Sequence, residues 1–336
     1  MTRYSRQTVF GKIGAEGQRK LLSSRAVITG AGALGTVIAN NLARAGVGSI
    51  RIIDRDIVEL SNLQRQTLFT EADAAAQTPK ALAACEHLRA VNSEIALEPV
   101  IIDINSANIN EALDGADVVV DGGDNMELRH LVNEWCVKRG VPWVYGAALQ
   151  AGGASMTIVP GKTPCFRCLY PDLEMKSPLT CATGGVLNMI TGAVASIESA
   201  EAVKILIGAF DALNTKLLLI DLWQNSIDYI DVARNDECPV CGMREFALLE
   251  SLPASYTSRL CGQDAIQVMP GPGAAADLAG IAERLKAAGS VEANRFALKF
   301  DDGKIAFQLF SDGRAIIQRV TDEKTARSVY AEYIGL

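Results

Sequence analysis

The chain has 336 residues, long enough for one large core plus a smaller unit, or for two domains. With 49% hydrophobic and 21% charged residues it reads as an ordinary soluble globular protein. A net charge of −7, with lysines and arginines scattered rather than gathered in a basic stripe, argues against a nucleic-acid partner.

At the N-terminus, MTRYSRQTVF carries no apolar segment ahead of a small-residue cleavage site, so the expected location is the cytosol. From Arg25 to Leu149 apolar strand-like runs alternate with helical segments: AVIT, TVIANNLARAG, SIRIID, PKALAACEHLRAVN, IALEPVIIDI, VVVDGGD, LRHLVNEWCVKRG and VPWVYGAAL. Ile38, Leu42 and Ala45 recur at i, i+4 and i+7, which gives the first helix one buried face. The near-continuous Val/Ile runs suit parallel strands covered on both sides. The predicted fold class is α/β, a doubly wound Rossmann-like sheet. Ligands in such sheets sit at the carboxyl ends of strands, where Gly30, Asp54 and Asp124 fall.

Residues 151–245 continue this pattern with the turn-rich GGASMTIVPGKTPC, a helix over 193–207, and strands near 216–221 and 226–232. The run GGVLNMITGAVASI at 184–197 contains Asn188 and Thr191 and stops at Glu198. That is short of the roughly 20 residues a membrane span needs, so a buried helix and no membrane partner are expected. Pro, Gly and Ser cluster around SLPASYTS and at PGPG, 270–273, which predicts domains over 1–250 and 251–336. The second holds a helix (DLAGIAERLKAAG), three short strands joined by DDG and SDG turns, and a last helix (EKTARSVYAEYI). It reads as a small α+β unit.

VITGAGALG, residues 27–35, is a strand running into Gly30-x-Gly32-x-x-Gly35. Glycines at this spacing let the chain turn tightly, let a phosphate approach the backbone, and let the next helix pack close. Asp54, nineteen residues after Gly35, ends the next strand where a carboxylate would take ribose hydroxyls. NAD and ATP both have that ribose. Attack at the α-phosphate of a triphosphate, however, develops charge that wants cations and Mg²⁺. Arg65 follows the ribose strand, Lys80 starts a helix in TPKALAAC, and Arg6 lies in RYSRQ. Asp124, ending VVVDGGD, is a candidate Mg²⁺ ligand. Singly, each has a plainer reading: Lys80 as a solvated first-turn lysine, Arg65 as an exposed loop arginine, Asp124 as a helix N-cap.

TPCFRC at 163–168 and ECPVCG at 237–242 give two C-x-x-C pairs. Cys165, Cys168, Cys238 and Cys241 would complete a tetrahedral, structural Zn²⁺ site, with Gly242 leaving backbone amides free to approach sulfur. A redox pair is the alternative, disfavoured because neither lies at a strand-to-helix turn that lowers a thiol pKa. Cys85, Cys136 and Cys261 read as small buried apolar residues. Cys181, in PLTCATGGVLN, follows the Pro- and charge-containing YPDLEMKSP and reads either as a loop nucleophile or as a merely tolerated loop cysteine.

RYSRQ at 3–7, GAGALG at 30–35, DRDIVELSNLQRQ at 54–66, PKA at 79–81 and DNMELR at 124–129, together with the two cysteine pairs, resemble the ubiquitin-like-protein-activating enzyme family typified by ThiF, MoeB and HesA. The resemblance spans roughly residues 3–245. It implies that Mg·ATP adenylates the C-terminal carboxylate of a small ubiquitin-like sulfur carrier protein ending in Gly-Gly, releasing pyrophosphate. By position it implies that Asp54 holds ribose, that Asp56, Asn62, Arg65 and Lys80 serve the phosphates, and that Asp124 binds Mg²⁺. It also implies that Arg6 reaches across a homodimer into the partner's site, that Arg129 supports this shell, and that Cys181 lies on a crossover loop and joins the sulfur chemistry. The chain departs from the pattern at Asn188-Met189, where relatives usually carry Gly-Pro, at GGDN, where Thr commonly precedes the Asp, and at Gln77, where Gly is common.

Two other classes remain open at this stage. An NAD-dependent oxidoreductase shares the glycine turn and Asp54, but has only His87 and His130 as proton donors, both on helical segments. A non-catalytic scaffold subunit would be expected to lack one of Arg6, Arg65, Lys80 or Asp124, and all four are present.

Overall fold

Residues 3–173, 184–251, 257–259, 265–270 and 275–335 are described by a computed structural model. They fall into two units, one within Met1–Ser177 and Val186–Ser251, the other within Pro178–Gly185 and Leu252–Leu336.

In the first unit eight strands form one sheet in the order β3-β2-β1-β4-β5-β6-β7-β8. They are β1 (Arg25–Thr29), β2 (Ser49–Ile53), β3 (Ala96–Val100), β4 (Val118–Asp121), β5 (Trp143–Leu149), β6 (Gly152–Ile158), β7 (Leu217–Asp221) and β8 (Ser226–Ile230). The first five are parallel, and β5 through β8 add an antiparallel extension. Crossover helices connect the parallel strands because a tight turn cannot. Alternate residues of one strand feed two cores. Ala26, Ile28, Val118, Val120 and Val144 pack under the helices Ala33–Ala45, Lys80–Val91 and Asn188–Ile207. Val27, Val119, Trp143 and Tyr145 face the helix Met126–Arg139 on the other side. Both faces are thus apolar, which is why the strands read as continuous runs.

The chain order reverses between β1 and β4, the crevice where ligands of such sheets bind. Gly30 there has φ +108°, and a Cβ on it would lie 2.6 Å from the Gly122 carbonyl group. A Cβ on Gly35 would lie 1.9 Å from the Gly30 oxygen, so the helix Ala33–Ala45 could not pack so close with any side chain there.

Several elements differ from expectation. The helix expected over 193–207 begins at Asn188, because Thr191 closes the first turn by donating to the Asn188 carbonyl at 2.6 Å. The short helices Ser5–Val9 and Gly14–Ser23 precede β1 and were not read from the sequence. The second unit is α+β as expected, but its sheet has six strands rather than three. β9 (Thr257–Arg259), β10 (Ala265–Val268), β11 (Ser290–Ala293), β12 (Ala297–Asp301), β13 (Ala306–Phe310) and β14 (Ala315–Gln318) run in the order β11-β12-β13-β14-β10-β9. The helices Leu278–Leu285 and Glu323–Tyr333 bury Leu278, Ile281, Ala326 and Val329 against it. The second unit's short edge strands, three and four residues long, were too brief for alternation to show. Among the described residues no helix is long and apolar enough to cross a membrane.

Candidate active site

The turn after β1 is built around Asp54. Its Oδ2 accepts from the Ala31 amide and its Oδ1 from the Asp56 amide, both at 2.7 Å. The carboxylate therefore fixes the glycine turn from the end of the adjacent strand. Burial pushes its pKa up, while Lys80 and these two amides pull it back.

Lys80 is the first residue of its helix and is only 8% exposed, which removes the solvated-lysine reading. Its ammonium lies 3.4 Å from Asp56 Oδ2. Burial alone would favour the neutral amine, but Asp56, Asp54 and Asp124 more than offset it and hold the charge above the ordinary lysine range. One buried cation is thus shared by three carboxylates drawn from two strand ends.

Asp124 is exposed, three residues beyond the end of β4, and accepts no hydrogen bond among the described residues. The helix-cap reading fails for a local reason: Asn125 is the cap, its Oδ1 taking the Glu127 amide at 2.9 Å. The carboxylate is left uncapped and near enough to Lys80 to help hold its charge.

Other expected residues are less converged. Asn62 is buried and closes a short 3₁₀ turn, its Oδ1 accepting from the Glu59 amide at 3.1 Å. Arg65 sits just after that turn and donates to the Ser61 carbonyl at 3.0 Å. Arg6 is exposed on the helix Ser5–Val9 and makes no ion pair among the described residues; nothing in the single chain joins it to Lys80. Cys181 and Cys261 lie outside the described residues. Gln77 adopts φ +50°, the left-handed region where glycine is least strained.

Beneath the Gly122-Gly123-Asp124 loop, Arg129, which the resemblance implies supports this shell, forms an ion pair with Asp121 that the sequence reading did not name. Arg129 Nε donates to Asp121 Oδ2 at 2.7 Å, and its Nη2 donates to the carbonyls of Gly123 at 2.7 Å and Gly146 at 2.9 Å. Both side chains are buried. The signal for the Asp121 partner is an acidic residue ending an apolar strand eight residues before that arginine.

In the core shared with the helix Met126–Arg139, Sγ of Cys165, Cys168, Cys238 and Cys241 all lie within 4.8 Å of one another. Three pairs are 3.4, 3.7 and 4.0 Å apart. Ligands about 2.3 Å from a tetrahedral zinc would be about 3.8 Å apart, so the donor set fits that ion. A Cβ on Gly242 would fall 2.0 Å from the Asp236 carbonyl oxygen, so this turn needs its glycine. Cys165 does precede a one-turn helix, Phe166–Leu169, contrary to expectation, yet burial beside three other sulfurs pushes its thiol up rather than down. At Cys238 burial is outweighed by the Cys241 and Val240 amides, which pull its thiol down; what disfavours the redox reading is four sulfurs in mutual reach rather than one isolated pair. Cys85 and Cys136 are fully buried, as read.

The two histidines lie away from this crevice. His87 Nε2 is 2.8 Å from Asp73. His130 is buried edge-on to Phe166, and desolvation, with Arg167 nearby, depresses its pKa to about 4.

The profile of the ThiF family matches residues 4–240. The sulfur carrier protein ThiS adenylyltransferase of Bacillus subtilis (strain 168) is 41% identical over 336 residues, covering 99% of each chain. The SAMP-activating enzyme E1 of Haloferax volcanii is 41% identical over 243 residues, covering 72% of this chain and 89% of its own. Among solved structures, E. coli MccB with ATP superposes with a TM-score of 0.62 at 27% identity, over 71% of this chain and 74% of that one. With the glycine turn, the Asp54–Lys80–Asp124 crevice and the four-cysteine cluster in one matched span, this chain belongs to the ThiF family.

Proposed function

We propose that the protein is an adenylyltransferase that activates the C-terminal Gly-Gly carboxylate of a ubiquitin-like sulfur carrier with ATP. The observation that carries this reading is Lys80, a buried cation beside a glycine turn and three carboxylates. A dinucleotide's pyrophosphate can be held largely by helix-terminal amides, whereas attack on a triphosphate calls for fixed charges. In the reaction, a carrier carboxylate oxygen attacks the α-phosphorus. The bond to the bridging oxygen breaks, pyrophosphate departs with its electron pair, and an acyl-adenylate remains.

Gly30, Gly32 and Gly35 allow the phosphates to approach the backbone, and Asp54 takes the ribose hydroxyls. Lys80, Arg65 and Asn62 serve the phosphates, with Asp56 holding the Lys80 ammonium. Asp124, which accepts no hydrogen bond among the described residues and acts on Lys80, would hold Mg²⁺, which supplies neutralisation of phosphate charge when bound. The four cysteines would hold a structural Zn²⁺. Arg6, exposed and without an ion pair among the described residues, reaches a second copy of the chain in a homodimer. β8 is an edge strand exposing Ile227, Tyr229 and Ile230, with Trp223 in the turn before it, a surface that suits a protein partner.

The direct test is mass spectrometry of a Gly-Gly carrier incubated with enzyme and Mg·ATP. The carrier should gain one AMP moiety and should gain nothing with NAD; no adduct on a folded, ATP-saturated enzyme would refute the reading. Adding a sulfur donor extends the same experiment to Cys181. Because the carrier supplies its own nucleophile for adenylation, Cys181→Ala should still give acyl-adenylate but no thiocarboxylate. Normal thiocarboxylate formation would leave Cys181 without a role.

A further inference from the structure

Glu198 takes no part in the chemistry above, yet it sits in the middle of the helix Asn188–Ile207 with none of its surface exposed. Neither carboxyl oxygen has a hydrogen-bond partner among the described residues. A charged carboxylate so placed is strongly disfavoured unless paired. Its position is set by a missing side chain. A Cβ on Gly146 would fall 2.2 Å from Glu198 Cδ and 2.3 and 2.4 Å from its two oxygens, so the carboxyl group occupies the space a residue 146 side chain would fill.

Gly146 is also an anchor for Arg129. Its carbonyl accepts from Arg129 Nη2, the same nitrogen that holds the Gly123 carbonyl one residue before Asp124. Glu198 therefore abuts the residue that ties the arginine to the crevice loop.

Two carboxyl groups compete here for one guanidinium. Asp121 has it, at 2.7 Å. Burial, then the Asp121 charge, push the Glu198 pKa well above the carboxylate range, and Arg129 only partly opposes them. No other element supplies a countercharge. Strand β5 contributes Tyr145, whose ring lies 5.2 Å from the Arg129 guanidinium carbon, and β6 carries no titratable side chain. The helix Ala33–Ala45 offers Arg44, exposed and bonded to Asn40, and the helix Gly14–Ser23 offers Glu16, Arg19 and Lys20, all exposed, with Lys20 bonded to the Ile207 carbonyl. On Glu198's own helix, Glu201 is engaged by Thr157, Lys204 and the Asn214 amide.

We propose that Glu198 is a positioning residue: as an uncharged carboxylic acid it packs on Gly146 and leaves Arg129 holding Gly123, and its ionisation draws the guanidinium away and loosens the Asp124 loop. The proton released goes to solvent. How this is read out in activity rests on the adenylation reading; the protonation state does not.

The test uses the full-length protein and Glu198→Gln, which keeps the shape and removes the titration. The wild-type minus variant infrared difference spectrum at neutral pH should contain the carbonyl stretch of a protonated carboxylic acid; a carboxylate band in its place overturns the proposal whether or not the enzyme is active. Carrier-dependent pyrophosphate exchange should fall reversibly in the wild type as pH rises and the group ionises. The variant should stay within about threefold of wild type at neutral pH and lose that limb, since an electrostatic contact is removed only when the group ionises. An identical limb in both proteins overturns the positioning role. Glu198→Met, uncharged and of similar length, carries the same expectations if the first variant does not fold.

Discussion

At the residue scale, the crevice is defined by which partner each charge has. Lys80 could have been a surface lysine from its sequence alone; it is 8% exposed, its helix starting after the N-cap Pro79 with the Lys80 amide donating to the Asp56 carbonyl at 2.9 Å. Asp124 is spared from capping because Asn125 does that work. These outcomes turn on neighbours one residue away, which motif spacing does not resolve. The roles of Gly30, Gly35 and Asp54 were legible because their constraint is local: a positive φ, a close approach, and a carboxylate next to a turn. Glu198 was not legible, since in sequence it ends an apolar run and its burial against Gly146 comes from strand β5, about fifty residues earlier. Lys80→Ala should lower pyrophosphate exchange by at least about 10²-fold, as loss of a fixed charge in a dry site does. Because Lys80 is held above the ordinary lysine range, it stays charged through neutral pH, and its loss should not create a new titration near pH 7. Initial rates across pH would show either result, and a Lys80→Ala enzyme at wild-type rate would remove the lysine from the site.

At the element scale, periodicity carried the parallel half of the sheet. The central parallel strands β1 and β4, buried almost throughout, read as apolar runs, and the crossover helix Ala33–Ala45 buries a stripe through Leu34, Ile38 and Leu42. The signal fails where an element is brief or where polar residues serve packing, as in the helices before β1 and the edge strands of the second unit. The cysteine cluster was legible despite its separation because thiol pairs at C-x-x-C spacing are rare without a metal. The segments it joins, at 163–168 and 237–242, have few other long-range bonds between them, so a bound ion would carry much of their stability. Purified protein should hold one zinc per chain. If Cys238→Ser forfeits about 3 kcal/mol of that coupling, the unfolding midpoint falls by roughly 6–12 °C. Elemental analysis showing no zinc in protein prepared without chelator would contradict this, as would an unchanged midpoint in the variant.

At the scale of the whole molecule, the chain matches the Bacillus subtilis relative along 99% of its length, whereas the match to the Haloferax volcanii relative covers 72% of it. We infer from this that residues 1–250 form the adenylation domain and 251–336 an accessory one. Arg6 provides the test of assembly, since an exposed arginine without an ion pair among the described residues has no evident duty within them. Mixing inactive Arg6→Ala with inactive Asp124→Ala subunits should restore about one quarter of wild-type activity: half of randomly paired dimers are mixed, and each has one whole site. No recovery after verified subunit exchange would place Arg6 in its own chain's site. The central claim, that the crevice around Lys80 activates a carrier's terminal carboxylate with ATP, is tested most directly by isotopic exchange between pyrophosphate and ATP. Exchange should require both Mg²⁺ and a carrier ending in Gly-Gly, and should vanish when those two glycines are removed. Exchange indifferent to the carrier, or none from the full-length protein with any Gly-Gly carrier while NAD is bound in preference to ATP, would contradict it.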